Sequence, residues 1–279
     1  MNENINLYIV PTPIGNLEDA SPRVIKTLEK VDIILCEDTR VMQDLLKALD
    51  IPFKKLVSLH KFNETSRIDY VLNLVEEGNT LALTTDRGMP VISDPGSIII
   101  AELIKHNYKV SALPGPSAFV TALVASGLDA EHFFFYGFLH GKKGDVKKTL
   151  EALKIMPYTL IFYMSPHELK EKLELLLEVL GPRKLAIARE ISKMYETYYY
   201  GNLESILSED IVMKGEFVVV VEGNQDTIDF KNLNIVNHIK MYEEEGLSQK
   251  DAMKKVAEDL GISKSDVYKK YLLEKGKIN

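Results

Sequence analysis

The stretch that decides the fold is Leu81-Ala82-Leu83-Thr84-Thr85-Asp86-Arg87-Gly88-Met89-Pro90-Val91-Ile92-Ser93-Asp94-Pro95-Gly96. Its apolar start predicts a short buried strand, and the compact loop that follows holds two aspartates, two glycines and two prolines. Asp86 or Asp94 can accept hydrogen bonds from a ribose or an ammonium group, and Gly88 lets the backbone approach a ligand closely. Asp94 equally suits the cap of a helix that begins near Gly96. The stretch predicts a strand whose carboxyl end carries a rigid ligand-binding loop.

On both sides of this stretch, short apolar runs alternate with helical patterns up to about residue 126. The predicted strands lie at 7–10, 33–36, 81–85 and 110–113, and the predicted helices at 24–30, 44–49, 68–77 and 98–106. This alternation is typical of a mainly parallel sheet covered by helices. Loops rich in glycine and proline also follow the first and last of these strands, at 11–16 and 114–117. Because ligands of open α/β sheets bind beyond the carboxyl ends of the strands, we expect the loops to form one site.

A second pattern begins near residue 130, with predicted strands at 133–138, 159–163, 185–189, 197–200 and 217–221 and helices at 147–153 and 168–180. Fewer helices per strand indicate a mixed or antiparallel sheet. After a polar linker at 224–232, Ser248 and Ser263 each begin a capped helix. We therefore expect an α/β fold with an N-terminal domain at 1–126, a second domain at 127–225 and a small helix-turn-helix-like domain at 236–279. An ordinary helical hairpin is the commoner alternative for the last region.

Composition limits the function classes. The chain has 279 residues, of which 46% are hydrophobic, and a formal net charge of -7. This charge argues against broad non-specific binding to nucleic acid, so any RNA contact must be local. Lysines around Lys142 and Lys143 and in the C-terminal region can supply such contacts, although solvated helix faces are the simpler interpretation. The single cysteine, Cys36, lies in an apolar run and is predicted to be buried. No apolar run reaches the roughly 18 residues that span a bilayer, so we expect a cytoplasmic protein without a membrane partner.

Several kinds of chemistry have no support in the sequence. Neither the Gly-x-x-x-x-Gly-Lys-Ser/Thr loop nor the Gly-x-Gly-x-x-Gly fingerprint occurs. The six histidines show no metal-ligand spacing, and no Gly-x-Ser-x-Gly motif occurs. We expect no metal site and no acyl-transfer chemistry.

Ordered motifs extend along nearly the whole chain. They are Thr12-Pro13-Ile14-Gly15-Asn16-Leu17, Glu37-Asp38-Thr39-Arg40, Ser93-Asp94-Pro95-Gly96, Pro114-Gly115-Pro116-Ser117-Ala118, Ala125-Ser126-Gly127-Leu128, Phe162-Tyr163 with Ser165-Pro166-His167, Ala188-Arg189-Glu190 and Val221-Glu222-Gly223. In content and order they resemble the tetrapyrrole-methylase superfamily, and within it the branch that methylates a cytidine ribose 2'-hydroxyl in small-subunit ribosomal RNA. The resemblance implies a two-domain fold, S-adenosylmethionine in the cleft between the domains, the ribosomal RNA or the 30S subunit as partner, and a homodimer.

The resemblance also implies roles for individual residues. Those expected to bind the cofactor are Pro13, Asp86, Gly88, Ile92, Asp94, Gly115, Ser117, Ala118, Met164 and Ala188. Those expected to contact RNA are Arg40, His60, Arg87, Lys142, Lys143 and Lys193. Glu190 is the candidate base for the ribose hydroxyl, with Arg189 as the second catalytic candidate. A structural ion pair between Arg189 and Glu190 is the alternative.

The chain departs from the family pattern at several positions, and two of these departures bear on its activity. Thr85-Asp86-Arg87-Gly88-Met89-Pro90 stands where the family usually has Ser-Asp-Ala-Gly-Thr-Pro, and Met164 stands where an acidic residue is usual. These departures leave two alternatives open: an RNA-binding or ribosome-assembly factor without turnover, and a methylase of a tetrapyrrole or another small molecule. The lysine clusters and the C-terminal helices favour RNA as the substrate.

Overall fold

The computed structural model describes residues 5–225, 234–244 and 246–275. Within these residues the chain forms two compact units that divide between Gly223 and Asn224. The polar linker predicted at 224–232 lies outside the described residues from position 226 onward. The first unit contains two five-stranded sheets and their helices, and the described residues of the second unit form helices. The predicted α/β architecture is confirmed, and the domain limits at 126 and 225 stay predictions.

The first sheet is entirely parallel. Its strands are β1 (Leu7–Ile9), β2 (Ile33–Cys36), β3 (Lys55–Ser58), β4 (Leu81–Leu83) and β5 (Val110–Ala112), in the order β3-β2-β4-β1-β5. Strand β3 was not predicted, because Leu56 and Val57 are its only apolar residues and it lies at the sheet edge. All carboxyl ends of the strands point the same way, so their loops lie on one side of the sheet.

Helices cover both faces of this sheet, as a parallel sheet requires. The helices are α1 (Pro22–Lys30), α2 (Thr39–Ala48), α3 (Ile68–Glu76) and α4 (Ser97–Lys105). Ile34 and Cys36 pack in the core with α1 and α2, whereas Ile33 and Leu35 pack in the core with α3 and α4. The Cys36 thiol is buried as predicted, and burial followed by the charges of Asp86 and Asp38 raises its pKa to about 12. Cys36 is a core residue without nucleophilic character at neutral pH.

The second sheet is mixed, as predicted. It contains β6 (Phe133–Phe138), β7 (Thr159–Met164), β8 (Lys184–Arg189), β9 (Thr197–Asn202) and β10 (Phe217–Val221), in the order β6-β7-β10-β8-β9. Only β6 and β7 pair in parallel. Between these strands lie the helices α6 (Lys143–Leu153), α7 (Leu169–Leu180) and α8 (Leu203–Leu207), which pack on one face.

The other face of the second sheet joins it to the first. A helix that the sequence patterns did not predict, α5 (Ala118–Ala125), places Ala122 and Leu123 against Ile161 and Val220 of this face. Its eight residues are almost uniformly apolar, so no 3.6-residue pattern marked it. Ile14, from the loop after β1, packs in the same cluster. The loop after β1 and helix α5 therefore pack together on this face of the second sheet.

The C-terminal unit contains α9 (Ile235–Glu244), α10 (Gln249–Leu260) and α11 (Lys264–Lys275). Helix α10 begins at Ser248, whose Oγ accepts from the Asp251 N–H, and ends at Gly261 with φ of +62°. These ends were predicted, whereas α9 was not, so the predicted pair of helices is in fact three. A buried polar group joins α9 to α10: His238 Nε2 lies 2.9 Å from Asp259 Oδ2, which also accepts from the Tyr242 hydroxyl.

Candidate active site

A cleft of about 530 Å³ lies beyond the carboxyl ends of β2, β4 and β5, with its far wall formed by the second sheet. The first-sheet side is lined by Ile14, Glu37, Val41, Thr85, Asp86, Arg87, Gly88, Met89, Ile92, Ser93, Asp94, Ser117 and Ala118. The second-sheet side is lined by Phe138, Tyr163, Met164, Ser165, Pro166, Ile191, Gly215, Glu216, Phe217 and Val218. Its size falls within the range of about 300–1,000 Å³ usual for small-molecule sites.

The loop after β4 is held rigidly against its neighbours. The Thr12 and Gly88 backbones exchange two hydrogen bonds of 2.9 and 3.1 Å, and Gly88 has φ of +83°. Val91 and Ser93 also have positive φ values, of 74° and 67°. Such conformations cost non-glycine residues about 1–3 kcal/mol each and persist where the surroundings fix them. The loop has the preorganised shape that its proline and glycine content predicted.

The buried Glu64 side chain holds the end of this loop. Glu64 Oε1 accepts from the N–H groups of Gly96, Ile98 and Ile99 at 3.0, 2.8 and 3.3 Å. Glu64 therefore caps α4, and the alternative assignment of that cap to Asp94 is wrong. Asp94 Oδ2 instead accepts from the Thr85 hydroxyl at 2.8 Å and lies at the cleft wall. Sequence reasoning missed Glu64 because it lies 32 residues before the helix it caps.

Three carboxylates line one end of the cleft: Glu37, Asp86 and Asp94. Burial is the main cause that raises the pKa of Asp94, against the hydrogen bond from Thr85, and the charge of Asp86 adds to it. Burial also raises the pKa of Glu37, with the charges of Asp94 and Asp86 next. Carboxylates that repel one another in a partly desolvated site favour a positively charged ligand.

Charged side chains bridge the two walls at the rim. Arg87, from the loop after β4, forms an ion pair with Glu216, which precedes β10. Lys193 pairs with both Glu216, at 3.0 Å, and Glu190, at 2.8 Å. The aliphatic part of the Lys193 side chain lies directly over Gly15. A Cβ added at Gly15 would lie 3.0 Å from Ser192 O and closer still to Lys193 Cγ. Arg87 and Lys193 therefore have carboxylate partners, and neither is an unpaired cation available to an RNA phosphate.

Most of the predicted cofactor residues line the cleft, namely Asp86, Gly88, Ile92, Asp94, Ser117, Ala118 and Met164. Pro13, Gly115 and Ala188 are absent from its wall. Ala188 is 1% exposed in the core of the second sheet. Gly115 faces Pro11, since an added Cβ would lie 2.7 Å from Pro11 Cβ. Pro13 adjoins the lining residue Ile14.

The two predicted catalytic residues have structural partners. The Arg189 guanidinium, 8% exposed as a residue, donates to the carbonyls of Lys214 and Tyr195 at 2.7 and 3.0 Å. Burial of Glu190 raises the pKa of its carboxyl. The hydrogen bonds from Lys193 and the Glu216 N–H lower it, as do the charges of Lys193 and Arg189, and the net result is a lowered pKa. A carboxylate with a lowered pKa is a weak proton acceptor. The alternative of an Arg189–Glu190 ion pair is not seen among the described residues, because each has other partners.

The remaining predicted RNA residues lie outside the cleft wall. Arg40 forms a salt bridge of 2.6 Å with Asp38, and its side chain is 87% exposed. The side-chain hydrogen bond from Arg40 is the main reason that the pKa of Asp38 is lowered to about 2. His60 follows β3, and its buried Nδ1 has no hydrogen-bond partner among the described residues. Lys142 and Lys143 begin α6 on an exposed surface.

Two further findings concern metals and membranes. Among the described residues, no group of three or more His, Cys, Asp or Glu side chains is placed to hold a metal ion. No helix in the described part of the chain is both long enough and apolar enough to span a membrane.

Comparison with known proteins identifies the family. The model for tetrapyrrole (corrin/porphyrin) methylases matches residues 6–207, which include the first sheet and all strands of the second sheet except β10. The chain belongs to the tetrapyrrole methylase family. Solved methylase structures share this fold: uroporphyrin-III-C-methyltransferase from Thermus thermophilus has a TM-score of 0.54 at 23% identity and covers 77% of this chain and 93% of its own. The methyltransferase CobJ has a TM-score of 0.59 at 19% identity and covers 79% and 95%.

Relatives in sequence within this methylase family match almost the full length. Ribosomal RNA small subunit methyltransferase I of Halalkalibacterium halodurans is 43% identical over 95% of this chain and 94% of its own length. The protein of the same name from Bacillus subtilis is 42% identical over 95% of this chain and 93% of its own. The one from Escherichia coli O157:H7 is 38% identical over 99% and 97%.

Proposed function

We propose that this chain transfers a methyl group from S-adenosylmethionine to a cytidine ribose 2'-hydroxyl in small-subunit ribosomal RNA, acting on the RNA or the 30S subunit. The observation that carries the proposal is the identity of 42–43%, over 95% of the chain, to proteins named ribosomal RNA small subunit methyltransferase I. An assembly factor without turnover and a small-molecule methylase are not favoured, because the relatives described above carry the ribosomal RNA methyltransferase name.

The cleft fits S-adenosylmethionine by charge and by polarity. The sulfonium and ammonium groups are cations, and Asp86 and Asp94 supply carboxylates in a partly desolvated wall. Met164 and Phe217 give the opposite wall an apolar surface that suits an adenine ring. When bound, the cofactor supplies a methyl group made electrophilic by the adjacent sulfonium. Asp86, Asp94, Ser117, Ala118 and Met164 are the residues that would hold it.

The protein's main contribution to such a reaction is alignment. Holding an acceptor and a donor in line is worth up to about 7–11 kcal/mol. The rigid loop after β4 and the apolar far wall provide fixed surfaces for this purpose. Arg189 and Glu190 act in this proposal as positioning residues, because they fix Lys214, Tyr195, Lys193 and Glu216 at the rim.

RNA contacts are proposed on the β2 and β3 side of the cleft and on α6. Arg40 is exposed beside the lining residue Val41, and His60 lies near Glu37. Lys142 and Lys143 present two further cations at the start of α6. Such contacts hold the phosphate backbone without reading its sequence, which suits a protein whose overall charge is negative.

We also propose a cytoplasmic homodimer. Exposed apolar side chains form a continuous surface of α5 and β6, where Val120, Val124 and Phe133 are 43%, 74% and 42% exposed. The rings of Phe119 and Phe133 lie 6.3 Å apart and connect the helix to the strand. A contiguous apolar surface of this kind marks a protein interface. Sedimentation of Val124→Asp should show monomers where the native protein sediments as a dimer, and a monomeric native protein would contradict the proposal.

The experiment that tests the function combines the protein, 30S subunits from a strain that lacks this gene, and S-adenosylmethionine with a labelled methyl group. The expected result is label in one cytidine, in a dinucleotide that resists alkaline hydrolysis because its 2'-oxygen is blocked. A matched subunit that carries a 2'-deoxycytidine at that position should accept no label. Label that persists on the 2'-deoxy substrate, or that appears only on a tetrapyrrole, would contradict the proposal.

A further inference from the structure

The three carboxylates at the end of the cleft differ in their hydrogen bonds. Asp86 Oδ1 accepts from the Asp38 N–H at 3.1 Å, and Asp94 Oδ2 accepts from Thr85 at 2.8 Å. Within the described part of the chain, the Glu37 carboxylate accepts no hydrogen bond, and only burial and neighbouring charges shift its pKa. Glu37 is therefore the carboxylate of this group that is free to accept a proton or a hydrogen bond from a bound molecule.

Strand order separates Glu37 from the surfaces assigned to the cofactor. Glu37 follows β2, which lies on the opposite side of β4 from β1 and β5. The loops after β4 and β5 carry the aspartates and Ser117–Ala118, whereas the ends of β2 and β3 carry Glu37 and His60. A molecule that enters over β2 and β3 therefore meets Glu37 without displacing the cofactor residues.

The outer surface beside Glu37 has the chemistry of an RNA contact. Phe62 is 96% exposed on a turn fixed by Asn63, whose side chain accepts from the His60 N–H at 2.8 Å and donates to Ser58 O at 3.2 Å. Lys61 is exposed next to Phe62. A fixed, exposed aromatic ring beside a cation is a platform on which an unpaired base can stack.

We propose that Glu37 accepts the proton of the ribose 2'-hydroxyl during methyl transfer, an inference that rests on the proposed function. The 2'-oxygen forms its bond to the methyl carbon while the carbon–sulfur bond breaks and leaves its electron pair on sulfur. The hydroxyl proton passes to the Glu37 carboxylate and from there to water. Glu37 would then be a catalytic residue, in place of the Glu190 that the sequence motifs suggested.

The surroundings of Glu37 suit it to this task. Burial first, then the charges of Asp94, Asp86 and Asp38, raise its pKa above the ordinary value, and a protonated His60 acts in the opposite direction. A raised pKa makes Glu37 a stronger base than an exposed carboxylate. The rate should therefore fall as the pH drops through this raised pKa, because the protonated carboxyl cannot accept a proton.

The test is Glu37→Gln in the full-length protein, with 30S subunits as substrate. We expect kcat to fall about 10²-fold or more, within the range for loss of a general base, while the Kd for S-adenosylmethionine from calorimetry changes less than about 3-fold. Native kcat should fall on acidification at a pH above the ordinary range of a glutamate, and the residual rate of the variant should lack this fall. Glu76→Gln, on the exposed face of α3, is the control and should behave as the native protein.

Three results would overturn the inference. They are a Glu37→Gln variant with native kcat, a variant that loses cofactor affinity in proportion to activity, and a native kcat that does not fall on acidification. The last measurement needs no variant, so it applies even if Glu37→Gln does not fold. Failure of the native protein to methylate ribose would instead contradict the proposed function and is distinguishable from all three.

Discussion

Substitution of Gly115 by alanine tests how the strand-end loops are held together. An added Cβ would lie 2.7 Å from Cβ of Pro11 and closer still to its Cγ. Carbon atoms in contact lie about 3.5–4.0 Å apart, so the loops after β1 and β5 must separate by about 1 Å. The Pro11 ring cannot rotate away, because its atoms are closed on the backbone. Overpacking of this kind costs about 1–3 kcal/mol of unfolding free energy.

The same separation should reach the cleft, because Ser117 and Ala118 follow Gly115 closely and line its wall. A displacement of about 1 Å in aligned reactants can cost about 10²-fold in rate. Urea unfolding measures the stability, calorimetry the cofactor affinity, and methyl transfer to 30S subunits the rate. The control is Gly144→Ala in α6, where nothing lies within 4 Å and stability should be unchanged or higher by up to about 1 kcal/mol. If Gly115→Ala matches this control in stability and affinity, the loops do not depend on their close approach.

Three variants in and around the cleft and one truncation test the remaining contacts. Glu64→Ala should lower the unfolding free energy by about 2–3 kcal/mol in urea titrations, because three N–H groups of α4 lose their acceptor. Arg87→Ala should change the free energy of unfolding by less than about 1 kcal/mol, since both side chains of the Arg87–Glu216 pair are exposed. If Arg87 also binds RNA, Glu216→Gln should tighten RNA binding in filter assays, because the guanidinium loses its competing carboxylate. If the pair only joins the two walls of the cleft, Arg87→Ala and Glu216→Gln should change RNA binding equally. Asp94→Asn should stabilise the free protein at neutral pH, because the raised pKa of Asp94 means that folding penalises its ionised form. This gain in stability should vanish below about pH 4, where the carboxyl is protonated in the unfolded chain as well. The same variant should bind the cofactor more weakly in calorimetry. A chain that ends at Gln225 should keep native cofactor affinity and lose subunit methylation mainly through a higher KM, and aggregation of that chain would contradict the division after Gly223.

Local pattern predicted most of the fold. The apolar runs at 33–36 and 133–138 match β2 and β6, and Ser248 and Gly261 mark the ends of α10. These features depend on side-chain periodicity and on caps within a few residues of the backbone groups they satisfy, so the sequence alone contains them. Strand β3 and helix α5 were not predicted from the sequence, because β3 is a half-exposed edge strand and α5 is apolar on all sides.

The motifs by themselves determined the family, the cofactor and which loops form the cleft, because ordered motifs at strand ends are local in the chain. They did not determine which charged groups are free. Arg87, Lys193 and Glu190 carried functional predictions, and the structure gives each of them a partner within an ion-pair network. Glu37 attracted no catalytic role, yet its carboxylate lines the cleft and accepts no hydrogen bond within the described residues. Only the tertiary structure decides such questions, because the partner of a charge is set by distances between segments far apart in sequence, and a partly buried charge without a hydrogen-bond partner differs chemically from a paired one.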